Sequence, residues 1–231
     1  YAGAGQPIPL VPVRIVVGPA GRDDRMRIQA AIDRVAALPV GADGFRGAVL
    51  LQPGRFHIEG TLRLGVSGVV LRGSGERENE TVLVAAGTSR RTLIEIGGRG
   101  NRSEIAASRR VVAEAYVPVG AKRLTLENPT DLKPGDRVVV RRPSTKEWIA
   151  ALGMNALPGW RAENRVQWAP GSRDLLWDRV VTAVDGATLT LDAPITTAMD
   201  KAYGGGTVAR YEFPGRIDHV GVENLRCVSE F

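Results

Sequence analysis

Between Gly47 and Gly97 the chain alternates short apolar runs with glycine-rich breaks. Ala48–Gln52, Arg55–Ile58, Thr61–Leu64, Val69–Arg72, Thr81–Ala85 and Thr92–Ile96 each read as a strand. The breaks are Pro53-Gly54, Glu59-Gly60, Ser67-Gly68 and Gly73-Ser74-Gly75, and no helix-length segment separates the runs. Val49 and Leu51 alternate with Leu50, and Leu62 and Leu64 with Arg63. That period of two turns one face of each strand inward. The Val69 run follows the Ala48 run by 21 positions, a spacing that suits one turn of three short strands and their corners. The expectation is a chain coiling into a parallel β-solenoid.

The flanks carry different patterns. Residues 1–12 read as an extended lead-in and Val13–Val17 as a strand. A helix follows from Asp23-Asp24, with Ile28, Ile32 and Val35 on one face, and should stop at Leu38 because Pro39 comes next. Asp23 or Asp24 is expected to cap its free N–H groups; a catalytic reading of the pair needs an assumption that capping does not. The first coil of a solenoid exposes an apolar end and unpaired strand edges, and this helix face suits covering them.

From about Asn101 the rhythm changes. Arg123–Glu127, Asp136–Arg141, Arg179–Val184 and Ala187–Asp192 read as strands, with Asp185-Gly186 as a hairpin signal and Leu132–Gly135 as a turn. Antiparallel hairpins do not fit a parallel coil path. They predict an inserted antiparallel β subdomain, a small barrel or sandwich. Ile217–Val228 then resumes the coil pattern. Three segments result: residues 1–100 form the cap and first coils, residues 101–213 the insertion, and residues 214–231 a resumed, incomplete coil. The rest of a longer chain, or another chain, would cover that last coil.

Residues 13–85 resemble the N-terminal region of the pectate lyase-like superfamily of right-handed parallel β-helix proteins. The resemblance is carried by VRIVV, Asp-Asp opening a helix with IQAAID (Ile28–Asp33), AVLLQPGRFHI, TLRLGVSGVVLRGSG and TVLVA. The family's usual Gly-Asp-Gly before the helix is replaced by Gly18-Pro19-Ala20-Gly21. The resemblance implies a mainly β fold: a right-handed parallel β-helix with an N-terminal capping α-helix. It also implies a secreted protein, extracellular or at a cell surface, that acts on or binds a polysaccharide. Lyases of this kind work by β-elimination on uronic acids, with the substrate carboxylate neutralised by Ca²⁺ or Arg and a base beside it; related hydrolases use paired carboxylates. Neither constellation is assignable from the sequence, so the catalytic residues are unknown, and Ca²⁺ enters only through the resemblance. A non-catalytic glycan-binding or extracellular structural module is the alternative. A phage-type tailspike, which would be a trimer, is a third reading.

Charge sharpens the choice of partner. Lys and Arg number 31 against 25 acidic residues, for a net charge of +6 and a pI near 10.0. That balance favours an anionic partner. No basic run reaches five residues, which argues against nucleic acid and leaves an acidic polysaccharide or a cell surface. The only lysines are Lys122, Lys133, Lys146 and Lys201, and arginine's planar fork matches carboxylates. No 18-residue apolar run predicts a membrane span. Cys227 stands alone and only two histidines occur, so no metal site is expected; His57 and His219 read as surface or satisfied residues.

All four tryptophans, Trp148, Trp160, Trp168 and Trp177, fall between Ser144 and Asp178. Arg161, Arg165 and Arg173 lie among them, with Glu147, Glu163, Asp174 and Asp178. Aromatic faces beside arginines suit a sugar-binding surface, where rings stack and polar groups fix hydroxyls. The same tryptophans would also serve as a small core for the insertion. Each carboxylate could be an acid, a base, a calcium ligand or a solvated charge.

Overall fold

A computed structural model describes residues 7–156 and 167–230. The fold is mainly β and divides into two compact units, Tyr1–Gly100 with Pro214–Phe231, and Asn101–Phe213. None of the helices among the described residues is long and apolar enough to cross a membrane.

The first unit opens with β1 (Val13–Val17) and α1 (Arg25–Ala36). Then come β2 (Gly47–Leu51), β3 (Gly54–Ile58), β4 (Leu62–Leu64), β5 (Val69–Arg72), β6 (Thr81–Ala85) and β7 (Ile94–Ile96). Consecutive strands do not pair with each other, β1 and β2 excepted. β2 pairs in parallel with β1 and β5, β3 with β6, and β4 with β7. The expected spacing of 21 is corrected by one residue, because Ala48 sits opposite Val70 and Val49 opposite Leu71. A one-residue slip exchanges the faces of a strand. The observed register stacks Val49 on Leu71, each 0% exposed. In the next ladder Phe56 lies over Leu83, and in the third Leu62 lies over Ile94.

α1 forms because Ile28, Ala31, Ile32 and Val35 recur on one face, and all four are buried. They join Val49, Leu51, Leu62, Leu64 and Val69 in one core. The expected capping of a free helix N–H is made by Asp23 and not by the N-cap residue Asp24. Asp24 occupies the N-cap position in αR geometry (φ −86°, ψ −4°), not the extended geometry that aims a cap at the following amides. Its buried carboxylate instead accepts from the Ala20 N–H at 3.2 Å and from Arg27 Nη1 at 2.7 Å. Asp23 Oδ1 accepts from the N–H groups of Arg25 (3.0 Å) and Glu59 (3.1 Å), tying the helix start to the end of β3.

The second unit contains β8 (Ser103–Glu104), β9 (Arg110–Val111), β10 (Tyr116–Val117), β11 (Arg123–Thr125), β12 (Arg137–Arg142) and α2 (Lys146–Ala151). β13 (Leu175–Asp185), β14 (Thr188–Leu191), β15 (Met199–Asp200) and β16 (Thr207–Glu212) follow. Its main sheet runs β11-β14-β13-β12-β16 and continues to β8 and β9, all antiparallel. A bridge between Val112 and Leu126 links the β9 edge back to β11 and closes the sheet on itself. Val138, Val140, Trp177, Val181, Leu189 and Val208 fill the interior. Asp185 is the last residue of β13, so the hairpin loop is Gly186-Ala187, one residue later than the sequence signal, with Gly186 supplying the positive φ of 58°.

The chain then returns to the first unit with β17 (Gly221–Glu223) on β5 and β18 (Arg226–Ser229) on β6, both parallel. At the return, a Cβ on Gly98 would meet the Gly215 carbonyl oxygen at 1.7 Å. Only glycine lets the departing and returning backbones lie so close.

Replacing Phe56, which is fully buried, by Ala should cost about 3–5 kcal/mol of unfolding free energy. The neighbouring, exposed Arg55→Ala should cost less than about 0.5 kcal/mol. Urea denaturation compares the two, and equal losses would contradict the inward stacking of this ladder.

Candidate functional site: an arginine and tryptophan stack

The tryptophan window begins where β12 ends. Arg141 and Arg142 are consecutive strand residues, so their side chains leave on opposite sides. Arg141 Nε donates to Asp174 Oδ2 at 2.7 Å. Asp174 Oδ1 accepts from the Ser144 N–H at 2.8 Å and the Ser144 hydroxyl at 2.9 Å. Ser144 Oγ in turn accepts from the Arg173 N–H at 3.0 Å. Burial of Asp174 by itself pushes its pKa up. The Ser144 N–H, Arg141 and the Ser144 hydroxyl outweigh that and hold the carboxyl below its usual 3.8. One ionised carboxylate therefore joins the end of β12, the entry to α2 and the backbone at Arg173.

The sequence pattern does not predict α2. Thr145 caps it, its Oγ1 accepting from the Trp148 N–H at 3.3 Å. This fixes Trp148 in the first turn. The Trp168 N–H donates to the Met154 carbonyl at 3.1 Å, and the Met154 N–H to the Ile149 carbonyl at 3.0 Å. Two backbone bonds thus bring Trp168 to the same helix.

The two rings stack with centroids 5.9 Å apart and planes 28° apart. The Arg142 guanidinium lies 4.2 Å from the Trp148 ring centroid, and that of Arg173 lies 5.2 Å from the Trp168 centroid. Contacts therefore run Arg142–Trp148–Trp168–Arg173. Both tryptophans are half-buried and Arg173 is exposed. A guanidinium stacked by its face keeps its N–H groups in the plane, where they can meet a carboxylate. Arg142 differs from Arg173 in being 5% exposed, with no hydrogen-bond partner for Nη1 among the described residues. Burial pushes its pKa down from the usual arginine value.

Of the residues expected at a sugar-binding surface, the structure brings together Trp148, Trp168 and Arg173. Trp177 is elsewhere: it pairs with Val140 across the sheet, is 8% exposed, and its Nε1 donates to Thr196 Oγ1 at 2.9 Å. It packs the core. Trp160, Arg161 and Arg165 lie outside the described residues, as does Glu163. Glu147 is exposed in the first turn of α2, and Asp178 Oδ2 lies 3.9 Å from Arg102. Sequence reasoning misses Arg142, although it shares the alternation of Val138 and Val140 and so falls on the core side of β12.

The histidines stand apart from this stack. His57 Nδ1 is 4.0 Å from Glu230, and His219 Nδ1 is 3.0 Å from Asp218 while its ring meets Phe45 edge-on. Among the described residues no group of three or more His, Cys, Asp or Glu gathers that could hold a metal ion. The Asp174 carboxylate is already committed to Arg141 and Ser144, so among the described residues of this site it does not offer itself to Ca²⁺.

No family model matches the chain, and no curated protein matches it. Among solved structures it is similar to the tailspike gp61 of Pseudomonas phage phi297, at 20% identity over 88% of this chain and 27% of that one, with a TM-score of 0.43. The Gp54 tailspike of Acinetobacter baumannii bacteriophage AP22, solved in complex with A. baumannii capsular saccharide, is similar at 10% identity over 90% and 27%, with a TM-score of 0.42. The tailspike gp49 of Pseudomonas phage LKA1 is similar at 17% identity over 81% and 25%, with a TM-score of 0.38. The chain spans about a quarter of the length of these tailspikes. Likeness at this level specifies neither an activity nor a residue.

Asp174→Asn keeps the shape and removes the charge. At neutral pH it should cost about 1–3 kcal/mol of unfolding free energy. The native pKa of Asp174 is depressed, so its contribution is complete above the usual value of 3.8 and is lost as pH falls from there through the native value. Denaturation at neutral pH and again below 3.8 should therefore show the gap between wild type and variant closing. A gap that stays constant would remove Asp174 from the network.

Proposed function

We propose that this chain recognises an acidic polysaccharide at the Trp148–Trp168 platform, on a scaffold of the right-handed parallel β-helix kind. The resemblance of residues 13–85 and the three parallel ladders support the scaffold. The observation that carries the function is Arg173, exposed, with its guanidinium 5.2 Å from the Trp168 ring centroid. Half-buried indole edges offer apolar contact to sugar C–H groups, and Arg173 offers a bidentate fork to a carboxylate. A net charge of +6 draws a polyanion toward the surface. An extracellular or particle-surface setting follows from this reading.

Binding fits the site better than bond cleavage does. β-Elimination needs a base beside the group that neutralises the substrate carboxylate. Arg173 supplies the neutralising group. The carboxylate next to it, Asp174, accepts from Arg141 and twice from Ser144, and these partners hold its proton affinity down. It is a poor base. The lyase reading that the resemblance implies is tested by the absorbance of a new double bond in the polymer.

Trp168→Ala and Arg173→Ala should each weaken binding of a uronate oligosaccharide about tenfold, ~1.4 kcal/mol. The Arg173 effect should shrink at high salt, because that contact is exposed. Isothermal titration calorimetry measures both. Wild-type protein that binds nothing in a panel of acidic and neutral polysaccharides would sink the proposal.

A further inference from the structure

Among the described residues Arg142 has no counter-charge and no hydrogen-bond partner for Nη1, in a place where charges are expensive. It stands at the end of β12 on the side that Val138 and Val140 give to the core, and it is 5% exposed. Its guanidinium lies against Trp148, at 4.2 Å. Such a contact contributes about 2 kcal/mol when desolvated, whereas a buried ion without a counter-charge costs several. The adjacent Arg141 shows the alternative, since it is paired with Asp174. An apolar side chain at 142 would serve the core better. A buried donor left open is a site where an incoming anion recovers the cost of burial.

We infer that Arg142 is the specificity-determining residue of the Trp148–Trp168 platform: a carboxylate on the bound sugar pairs with its guanidinium beneath Trp148. The inference rests on the glycan-binding reading of that platform. Nη1 is buried and the Trp148 ring lies against the guanidinium, so in the proposed complex Trp148 tilts away to admit the carboxylate. Trp148 is carried by a helix of only six residues, held at its start by the Thr145 cap. That is a short element to displace. Arg173 meets the polymer in solvent, where salt screens its preference for a carboxylate. Arg142 meets it out of water, where one charge pair discriminates strongly. A neutral sugar at the same position would leave the guanidinium as unpaired as it is in the free protein, and selectivity arises because only the carboxylate recovers the cost of its burial.

The test uses the whole chain and two oligosaccharides that differ only in bearing a carboxylate or a hydroxymethyl group, followed by calorimetry and tryptophan fluorescence. Wild type should prefer the acidic one by at least about tenfold and should change its fluorescence on binding. Arg142→Met keeps the apolar stem and removes the charge. At high salt, where the Arg173 contribution is screened, it should lose the preference, keep its affinity for the neutral ligand and melt at a higher temperature than wild type. Arg142→Lys, which keeps the charge without the planar fork, should retain only part of the preference, and it decides the matter if Arg142→Met does not fold. A variant that keeps the full preference overturns the inference, as does Arg142→Met melting below wild type with its preference unchanged. If wild type binds neither oligosaccharide, the glycan reading fails, and free glucuronate becomes the probe. A fluorescence response in wild type that is absent in Arg142→Met then still supports a carboxylate site, and no response in either overturns it.

Discussion

The first unit depends on side chains stacking in register along three parallel ladders. Val49 over Leu71, Phe56 over Leu83 and Leu62 over Ile94 are not three independent contacts. Each fixes the register of its ladder, and the corner lengths must accommodate all three at once. Corners therefore vary while the stacks do not. At the strand ends an arginine adds donors to backbone carbonyls: Arg91 Nη2 donates to that of Ile58 at 2.7 Å, which also accepts from the Ala86 N–H, and to that of Ala86 at 2.6 Å. A basic composition thus partly serves the fold, as a source of long donors for backbone carbonyls. Only part of the positive charge remains to be read as a signal about partners.

The same register explains how a long segment can interrupt the chain without disturbing the ladders. β5 finds its next parallel neighbour in β17, and β6 finds it in β18, although the second unit lies between them in sequence. Gly98 and Gly215 bring the two backbone crossings together, so the first unit meets only a short gap. Segments whose ends lie close are the ones that tolerate insertion.

Much of this architecture is legible in the sequence, and the parts that are not share a cause. Alternation and glycine breaks give β1, β5 and β6 to the residue, and helical periodicity gives the core positions of α1. The register of β2 on β5 is not legible, because Val69, Val70 and Leu71 are all apolar and alternation cannot choose among them. Which of Asp23 and Asp24 caps α1 is not legible, because Asp24 has two possible clients, the amides of its helix and the loop at Ala20; it serves the loop, and Asp23 takes the Arg25 N–H. α2 stays hidden because six residues carry too little periodicity. The site is half legible. A cluster of tryptophans marks a region, but whether an indole packs or presents depends on its partner. Trp177 faces Val140 across a sheet, while Trp148 rides on a helix.

Arg141 and Arg142 condense the relation between stability and recognition in the second unit. They share a residue type, a strand end and a neighbourhood, and differ by which side of β12 they leave. Arg141 exits toward Asp174 and becomes structural, its charge consumed within the protein. Arg142 exits toward the core and keeps its charge open, supported by an aromatic face. A protein under selection for stability alone would not keep the second arrangement, because a neutral side chain packs there at lower cost. The paired arginine holds the site in shape, and the unpaired one gives the shape something to select.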